Sequence, residues 1–311
     1  MLKPLKNILE TDFEKELFEE ALKNLNDKKS KIRCCNFAYT LRSLLDCIFE
    51  NRISTNEKVK NAPWYKKESE DRNITRRQRY KYFIQGNADD YFINEIIKFN
   101  DIDKITENFN KTVHHLSKYT HISEKTFNLS EDEVNIFIKE INESVTSFIS
   151  NLFDIKTRLL DKLNIWLFDI INDAFMSDTI QEIDELCTHY LIDSINIDDI
   201  QFTDKNGAKF LDISKPFDIE VTGQIEVEHQ FGSDGDYKRG DGLRYNASYP
   251  YNIKLKINIP SIKELIDDDE YDNLNNYTQK EKNELNGYFI DEFYRNIQII
   301  DYDIDTSKHF E

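Results

Sequence analysis

Three of the six histidines, His114, His115 and His121, lie close together in the segment KTVHHLSKYTHISEKTF. Imidazole titrates near neutral pH, so it can transfer protons during RNA cleavage without a metal ion. Zinc would require further ligands, and the sequence has no HExxH or paired CxxC spacing that supplies them. Histidines at a helix end can instead bond its free carbonyl groups. The segment therefore indicates an acid–base site or a polar helix end, and it disfavours a metal centre.

Within this segment, His121 is the predicted catalytic residue and His115 the second imidazole. Residues that cap helices flank His121, so we expect one helix to end near Tyr119 and another to begin near Glu124. A histidine in such a junction is held by backbone on both sides and is open to a cleft. Glu124 would orient the imidazole, and Lys125 would bind a phosphate near the positive start of the next helix.

A basic and aromatic stretch, APWYKKESEDRNITRRQRYKYFIQGNADDYF, is the second candidate site. Arg76, Arg77 and Arg79 lie at the start of a predicted helix, and Trp64 precedes them among lysines and tyrosines. Basic groups neutralise phosphates, aromatic rings stack on bases, and a helix N-terminus adds backbone donors for an anion. The stretch predicts a nucleic-acid-binding surface. The alternative is a solvated face whose arginines pair with the acidic C-terminal half.

Arg42, Asp46 and Glu50 are spaced four residues apart on the second predicted helix, IRCCNFAYTLRSLLDCIFENRI. Arg42 flanks the apolar stripe of this helix and is expected to be half-buried, whereas Glu50 lies opposite the stripe. The default interpretation of this spacing is a set of ion pairs along the helix surface.

Carboxylates also cluster on the predicted strand FDIEVTGQIEVEHQF, where Glu226 and Glu228 share a face beside Asp218 and Glu220. Such a cluster can hold Mg²⁺ for phosphodiester hydrolysis. No lysine follows two residues later, as the restriction-endonuclease pattern requires, so a solvated outer face is favoured. No cofactor is therefore predicted, although the sequence leaves Mg²⁺ open.

The first 187 residues are predicted to be helical, so helices position the candidate residues that lie there. Capping-box spacings begin three of these helices, at Thr11, Thr75 and Ser130. The apolar stripe after Ser130 predicts one long amphipathic helix, and a second long helix is expected from about Leu159 to Phe175.

The apolar period changes to two after about residue 190, which predicts strands over FDIEVTGQIEVEHQF and YNIKLKINI. The glycine-rich segment GSDGDYKRGDG between them is expected to be an exposed loop, and Asn206–Gly207 a tight hairpin turn. From Ser261 the chain is again predicted to be helical, and it is strongly acidic. The predicted fold class is α+β, with an all-helical domain over residues 1–190. A smaller antiparallel β domain with a helical tail is predicted over residues 191–311.

Charge is unevenly distributed along the chain, which has a formal net charge of −18. Residues 1–130 carry a small excess of Lys and Arg, whereas residues 131–311 carry the large excess of Asp and Glu. This asymmetry suggests a polyanion-binding surface in the first part and a different role for the second. The four cysteines form neither a CxxC pair nor a disulfide framework, and no apolar run is long enough for a membrane span. We therefore expect a cytoplasmic protein.

Four short motifs occur in a characteristic order: LRSLLD, WYKKES, TRRQRYKYFIQG and LSKYTHISEKTF. In this order they resemble the predicted pPIWI-associating nucleases, which accompany prokaryotic PIWI-like proteins in anti-phage gene neighbourhoods. The resemblance covers roughly residues 30–130, and a weaker similarity occurs at FGSDGD. It implies a mostly helical nuclease-like domain used in bacterial defence. It points to these residues: Arg42, Trp64, Arg76, Arg77, Arg79, His121 and Lys125.

The histidine-bearing helix is also similar to that of HEPN ribonucleases, which place an arginine before a histidine with four to six residues between them. The corresponding positions before His115 are Asn108, Phe109 and Asn110, and no arginine lies between residues 80 and 157. Asn110 or Lys111 would have to bind the phosphate, and neither offers the planar fork of a guanidinium.

The leading hypothesis is an anti-phage defence protein whose helical domain binds nucleic acid. The sequence leaves open whether this domain also cleaves the nucleic acid. The expected partners are nucleic acid and another protein of the same defence system. One alternative is a non-enzymatic sensor or adaptor that uses its acidic, β-rich half as an interface. Another is an inhibitor whose acidic surface mimics nucleic acid.

Overall fold

A computed structural model describes residues 1–68, 70–71, 73–177, 179–203, 213 and 216–307. The described chain divides into two compact units, residues 1–157 and residues 158–307. The first unit is helical, and the second contains one antiparallel sheet with helices. The predicted α+β class is confirmed. The predicted domain boundary at residue 190 stays a prediction.

The first unit consists of helices joined by turns and loops. Its α-helices are α1 (Lys3–Asn7), α2 (Asp12–Asn26), α3 (Arg33–Asp46), α4 (Asn56–Lys60), α5 (Arg76–Gln85), α6 (Ile102–Tyr119) and the first part of α7 (Glu131–Ser177). Two π-helical segments, Cys47–Ile53 and Phe92–Ile96, complete it, and the first of them continues α3 directly. The capping boxes predicted at Thr11 and Thr75 are both formed.

An aromatic cluster forms the core beneath α5 and α6. The ring of Phe49 packs edge-on against the rings of Tyr80, Phe83 and Phe109 at centroid distances of 5.0 to 5.9 Å. Phe109 from α6 stacks on Phe148 from α7 at 3.8 Å. All five side chains are buried. Because rings from α5 and α6 share this cluster, the two helices are held side by side.

The helix α7 is continuous over 47 residues, so the prediction of two successive long helices is wrong. The joining segment NLFDIKTR contains no glycine or proline, and its Leu152 and Ile155 are fully buried. The apolar stripe therefore continues from one predicted helix into the next, and nothing in the local sequence interrupts the backbone hydrogen bonds.

The second unit is built on a four-stranded antiparallel sheet with strand order β1-β2-β3-β4. Its strands are β1 (His189–Phe202), β2 (Phe217–Phe231), β3 (Leu243–Ile257) and β4 (Ile297–Ile304). Its helices, after the last part of α7, are α8 (Gln181–Asp184), α9 (Asp234–Arg239), α10 (Ile262–Leu265), α11 (Asp268–Asp272), a short 3₁₀ turn at Leu274–Asn276 and α12 (Gln279–Arg295). Alternate residues of β2 are buried along its length, as the period of two predicts.

Two features of this unit differ from the predictions. The loop between β2 and β3 is exposed as expected, but it contains α9, which begins with a capping box between Ser233 and Asp236. The acidic tail contains β4, although only helices were predicted after Ser261. β4 pairs with β3, and this long-range pairing stabilises a strand whose local pattern is mostly exposed. The predicted turn at Asn206–Gly207 lies outside the described residues. Among the helices described, none is long and apolar enough to cross a membrane.

Candidate functional site

The first turn of α5 carries the three arginines and is held rigidly. The Gln78 amide donates to Thr75 Oγ1 at 3.3 Å, and the Thr75 amide donates to Gln78 Oε1 at 2.9 Å. Gln78 Nε2 also donates to the carbonyl of Lys66 at 2.6 Å, which fixes the segment before the helix. The capping box therefore sets the direction in which the arginines leave the helix.

The three arginine side chains have different contacts in the structure. Arg79 donates to the carbonyl of Ser54 at 2.5 Å and to Asn56 Oδ1 at 2.8 Å, so it joins α5 to the start of α4 and to the chain just before it. Arg77 donates to Glu68 Oε1 at 3.0 Å. Arg76 is half-buried, yet it forms no hydrogen bond or ion pair with any residue that the structure describes. A guanidinium in that state is available for an external anion.

Arg76 lines an open cleft between α5 and α6, which we call the Arg76–His114 cleft. Its described lining consists of Glu68, Thr75, Arg76, Arg77, Asn110 and His114. Asn110 and His114 lie four residues apart on α6 and therefore on one face of it. The cleft places two arginines opposite an amide and an imidazole, which are groups that can bind and protonate a phosphodiester.

A half-buried carboxylate interacts electrostatically with Arg76. Burial raises the pKa of Asp46, and the positive charge of Arg76 is the largest influence in the opposite direction. Arg42 lies on the same side, with its Nε 3.6 Å from Asp46 Oδ2. The structure thus brings Arg42 and Arg76 together around Asp46, although 34 residues separate the two arginines in the sequence.

The buried hydroxyl of Tyr80 lies near the same charges, and burial raises its pKa far above the ordinary value. Tyr80 is therefore neutral at physiological pH and belongs to the core. The charged part of this region consists of the arginines and the carboxylates of Asp46 and Glu50.

The other histidines are placed differently from His114. The His115 ring packs edge-on against Tyr119 and Phe137, and its Nδ1 is 3.6 Å from Glu140 Oε2. His121 is exposed in the turn that follows α6. Within the described residues, His114 is thus the histidine that lines the cleft with the arginines.

The junction around His121 is a turn, and the prediction that a helix begins near Glu124 is wrong. Thr126 Oγ1 donates to the His121 carbonyl at 2.9 Å and accepts from the Ser123 amide at 2.9 Å. These bonds satisfy the backbone locally, and the next helix, α7, starts only after Ser130. Glu124 and Lys125 are exposed residues of the turn. Their predicted roles beside His121 stay predictions.

The structure places Trp64 in the core. Its Nε1 donates to the carbonyl of Gly86 at 3.0 Å, and the ring packs with Val59 and Tyr82. The Lys81 ammonium covers one ring face at 5.0 Å from the centroid. A base has no free ring face on which to stack, so we assign Trp64 a structural role.

Replacing Trp64 with Phe is expected to lower the free energy of unfolding by about 1–3 kcal/mol, because the Gly86 carbonyl loses its donor and the core loses volume. Nucleic-acid affinity is expected to stay unchanged. Chemical denaturation measures the first quantity and fluorescence anisotropy with a labelled strand the second. The matched control is Tyr65→Phe, which removes the exposed hydroxyl that donates to the Asn73 carbonyl. A loss of affinity in Trp64→Phe with unchanged stability would contradict the structural role.

The carboxylates of β2 are engaged at the sheet surface. Glu228 lies 3.5 Å from Arg244, and Glu220 accepts a hydrogen bond from Asn252. Glu226 is half-exposed on the same strand. Across the described residues, no group of three His, Cys, Asp or Glu side chains is arranged to hold a metal ion.

Several residues of the cleft were not singled out by the sequence. The sequence indicates Asn110 only as a substitute for a HEPN arginine, favours His121 over His114, and contains no motif that points to Glu68. A sequence pattern that indicates this pair is the four-residue spacing of Asn110 and His114. On a helix with a marked apolar stripe, this spacing places both residues on the polar face.

Comparison with known proteins gives two matches to family models. Residues 6–145 and residues 152–277 match two models that share the description "predicted pPIWI-associating nuclease". Together the matches include almost all of the first unit and much of the second. Neither the curated proteins nor the solved structures gave a match.

Proposed function

Because the chain belongs to the family of predicted pPIWI-associating nucleases, we propose that residues 1–157 bind a nucleic-acid strand in the Arg76–His114 cleft and cleave it. One observation carries this proposal: Arg76 is half-buried without a hydrogen-bonding or ion-pairing partner among the described residues, and it shares a cleft with His114. Asp46 attracts Arg76 electrostatically but accepts no hydrogen bond from it, and a phosphate would accept charge-assisted hydrogen bonds from the unused guanidinium donors.

The chemistry that fits these groups is acid–base cleavage of RNA. His114 removes the proton from the ribose 2′-hydroxyl while the 2′-oxygen attacks phosphorus, so that the P–O2′ bond forms and the P–O5′ bond breaks. The leaving 5′-oxygen lies on the opposite side of phosphorus from the 2′-oxygen, so it takes its proton from water, and the imidazolium returns its proton to the solvent. The products are a 2′,3′-cyclic phosphate and a 5′-hydroxyl end.

Arg76 supports this step by binding the non-bridging oxygens, where negative charge builds up in the transition state. Arg77 is held by Glu68 and borders the same space, so it contacts the neighbouring phosphate of the strand. The carboxylate of Asp46 offsets part of the charge of Arg76, and Arg42 shares that carboxylate.

The biological setting that we propose is anti-phage defence in the bacterial cytoplasm, with a pPIWI protein as the partner. The family description supports the partner, since it names an association with pPIWI proteins. The buried free thiols of Cys34 and Cys35 fit a reducing compartment.

The test is an incubation of the purified full-length chain with end-labelled single-stranded RNA, single-stranded DNA and duplex DNA of one sequence. Each substrate is supplied with Mg²⁺ or with EDTA. We expect RNA to be cut in both buffers, with 2′,3′-cyclic phosphate ends, and single-stranded DNA to stay intact because it lacks the 2′-hydroxyl. Cleavage that requires Mg²⁺, or cleavage of DNA, would contradict the acid–base mechanism. Binding without cleavage of any substrate would favour the sensor or adaptor.

A further inference from the structure

A second cavity lies in the first unit, away from α5, and basic groups dominate it. It has a volume of about 330 Å³ and is formed by the turn between α2 and α3 together with the residues before and at the start of α7. Four basic side chains line it, against one carboxylate. These residues are Lys28, Lys29, Lys31 and Arg33, and the carboxylate is Glu131. We call it the lysine cavity.

The carboxylate is already engaged with the arginine. Arg33 is buried, and its Nη2 lies 2.7 Å from Glu131 Oε1. The same bond holds the pKa of Glu131 below its ordinary value. None of the three lysines forms a hydrogen bond or an ion pair through its ammonium group with a described residue. Lys31 lies over the Phe127 ring at 5.9 Å. Lys28 also acts electrostatically on Glu131, but none of the three ammonium groups is within ion-pair distance of a carboxylate of a described residue.

The backbone that carries the lysines is fixed. The Lys29 amide donates to Asp27 Oδ1 at 3.2 Å, and the Lys31 carbonyl accepts from the Asn128 amide at 2.7 Å. Cys35 Sγ donates to the Thr126 carbonyl at 3.6 Å, which attaches α3 to the same segment. The lysines thus extend from a rim whose backbone is held by hydrogen bonds, so only their exposed side chains have to become ordered when an anion binds.

The start of α3 adds to the attraction for an anion. No side chain caps this 14-residue helix at Ile32, so its first amide groups lack a side-chain acceptor. Arg33 and Cys34, the first two residues of the helix, line the cavity. The Arg33 amide donates to the Ser30 carbonyl at 3.4 Å, and the positive end of the helix dipole favours a negative group there, in addition to the lysines.

We propose that the lysine cavity binds a phosphate monoester, carried either by a free nucleotide or by the phosphorylated end of a strand. The volume falls at the lower end of the range for small-ligand sites, so a duplex or a folded protein does not enter it. A terminal phosphate carries close to two negative charges, whereas a backbone phosphate carries one. Three lysines around one cavity fit the dianion. The ligand class rests on the nucleic-acid binding proposed above, but not on cleavage.

The test compares two short 2′-O-methyl oligonucleotides of one sequence, with a 5′-phosphate or a 5′-hydroxyl and a dye at the 3′ end. The 2′-O-methyl groups block the proposed cleavage, and binding to the full-length chain is measured by anisotropy. We expect the phosphorylated strand to bind about tenfold more tightly or better. This preference should disappear when Lys28, Lys29 and Lys31 are all replaced with Gln.

The matched control replaces Lys15, Lys23 and Lys139 with Gln, which removes three exposed lysines that pair with carboxylates on their own helices. The control should keep the preference, and melting curves verify that both triple variants are folded. Adenosine 5′-monophosphate serves as the competitor. If the nucleotide displaces the phosphorylated strand, a free nucleotide is sufficient as the ligand of the cavity. If it does not, the ligand is the phosphorylated end of a strand.

The proposal fails if the wild-type chain binds both oligonucleotides equally, or if the cavity variant and the control lose affinity alike. If neither strand binds, direct titration with the nucleotide decides: cavity-dependent binding supports the site, and no binding overturns it. Arg76→Ala separates this result from the proposed function. That change should weaken both strands equally and leave the preference for the phosphate intact.

Discussion

Arg76→Ala is expected to weaken the binding of single-stranded RNA by about tenfold, a loss within the range of 1–3 kcal/mol for an arginine–phosphate contact. The slope of log affinity against log salt concentration should fall by about 0.7, which corresponds to one phosphate contact on a single strand. The fold should stay intact, because Arg76 makes no hydrogen bond or ion pair with a described residue. Anisotropy titrations at several salt concentrations measure both quantities.

Three further variants show whether charge, geometry or position causes the loss. Arg76→Lys keeps the charge and should keep the salt slope, while affinity is only partly restored because the planar fork is absent. Arg79→Ala should lower the melting temperature, because Arg79 bonds Ser54 and Asn56. Arg295→Ala removes an exposed, ion-paired arginine of the second unit and should change neither property. An unchanged salt slope in a folded Arg76→Ala protein would contradict the phosphate-binding role.

The different roles of these arginines show where sequence-based inference ends. The capping box of Thr75 and Gln78 is a local pattern, so the helix and its start were predictable. Arg76, Arg77 and Arg79 look equivalent in that pattern. Their partners come from other segments: Glu68 from the preceding loop, and Ser54 from the chain after the first π-helical segment. Which arginine stays unpaired is decided by tertiary contacts that a single sequence does not contain.

The same limit applies to long elements. The apolar stripe of α7 was predicted in two parts, because no local signal showed that the helix crosses residues 153–158 without a break. β4 was missed because six of its eight residues are exposed, which leaves no alternation to detect. Its strand conformation depends on pairing with β3, about 45 residues earlier in the chain. By contrast, β2 alternates along its full length and was predicted with the bounds that it has.

His114→Ala is expected to lower RNA cleavage by about 100-fold or more, which is typical for the loss of an acid–base residue. His114 is exposed and makes no hydrogen bond or ion pair with a described residue, so the melting temperature should change little. Affinity for RNA should be almost unchanged, since Arg76 and Arg77 remain in the cleft. The measurement is the single-turnover cleavage rate with saturating protein, which separates the chemical step from binding.

His121→Ala is the matched variant, because it removes an imidazole seven positions later in the sequence, and His121 is the residue that the sequence favours. From His114 to the end of α6 the helix advances by roughly 7.5 Å, so His121 lies beyond the part of α6 that borders the cleft. If His114 transfers the proton, His121→Ala should keep nearly the full cleavage rate. If His121→Ala abolishes cleavage in a folded protein while His114→Ala remains active, the catalytic centre is the turn after α6. The Arg76–His114 cleft would then bind the strand without acting on it. The two variants therefore decide between a site built on the helix pair α5–α6 and one built on the following turn.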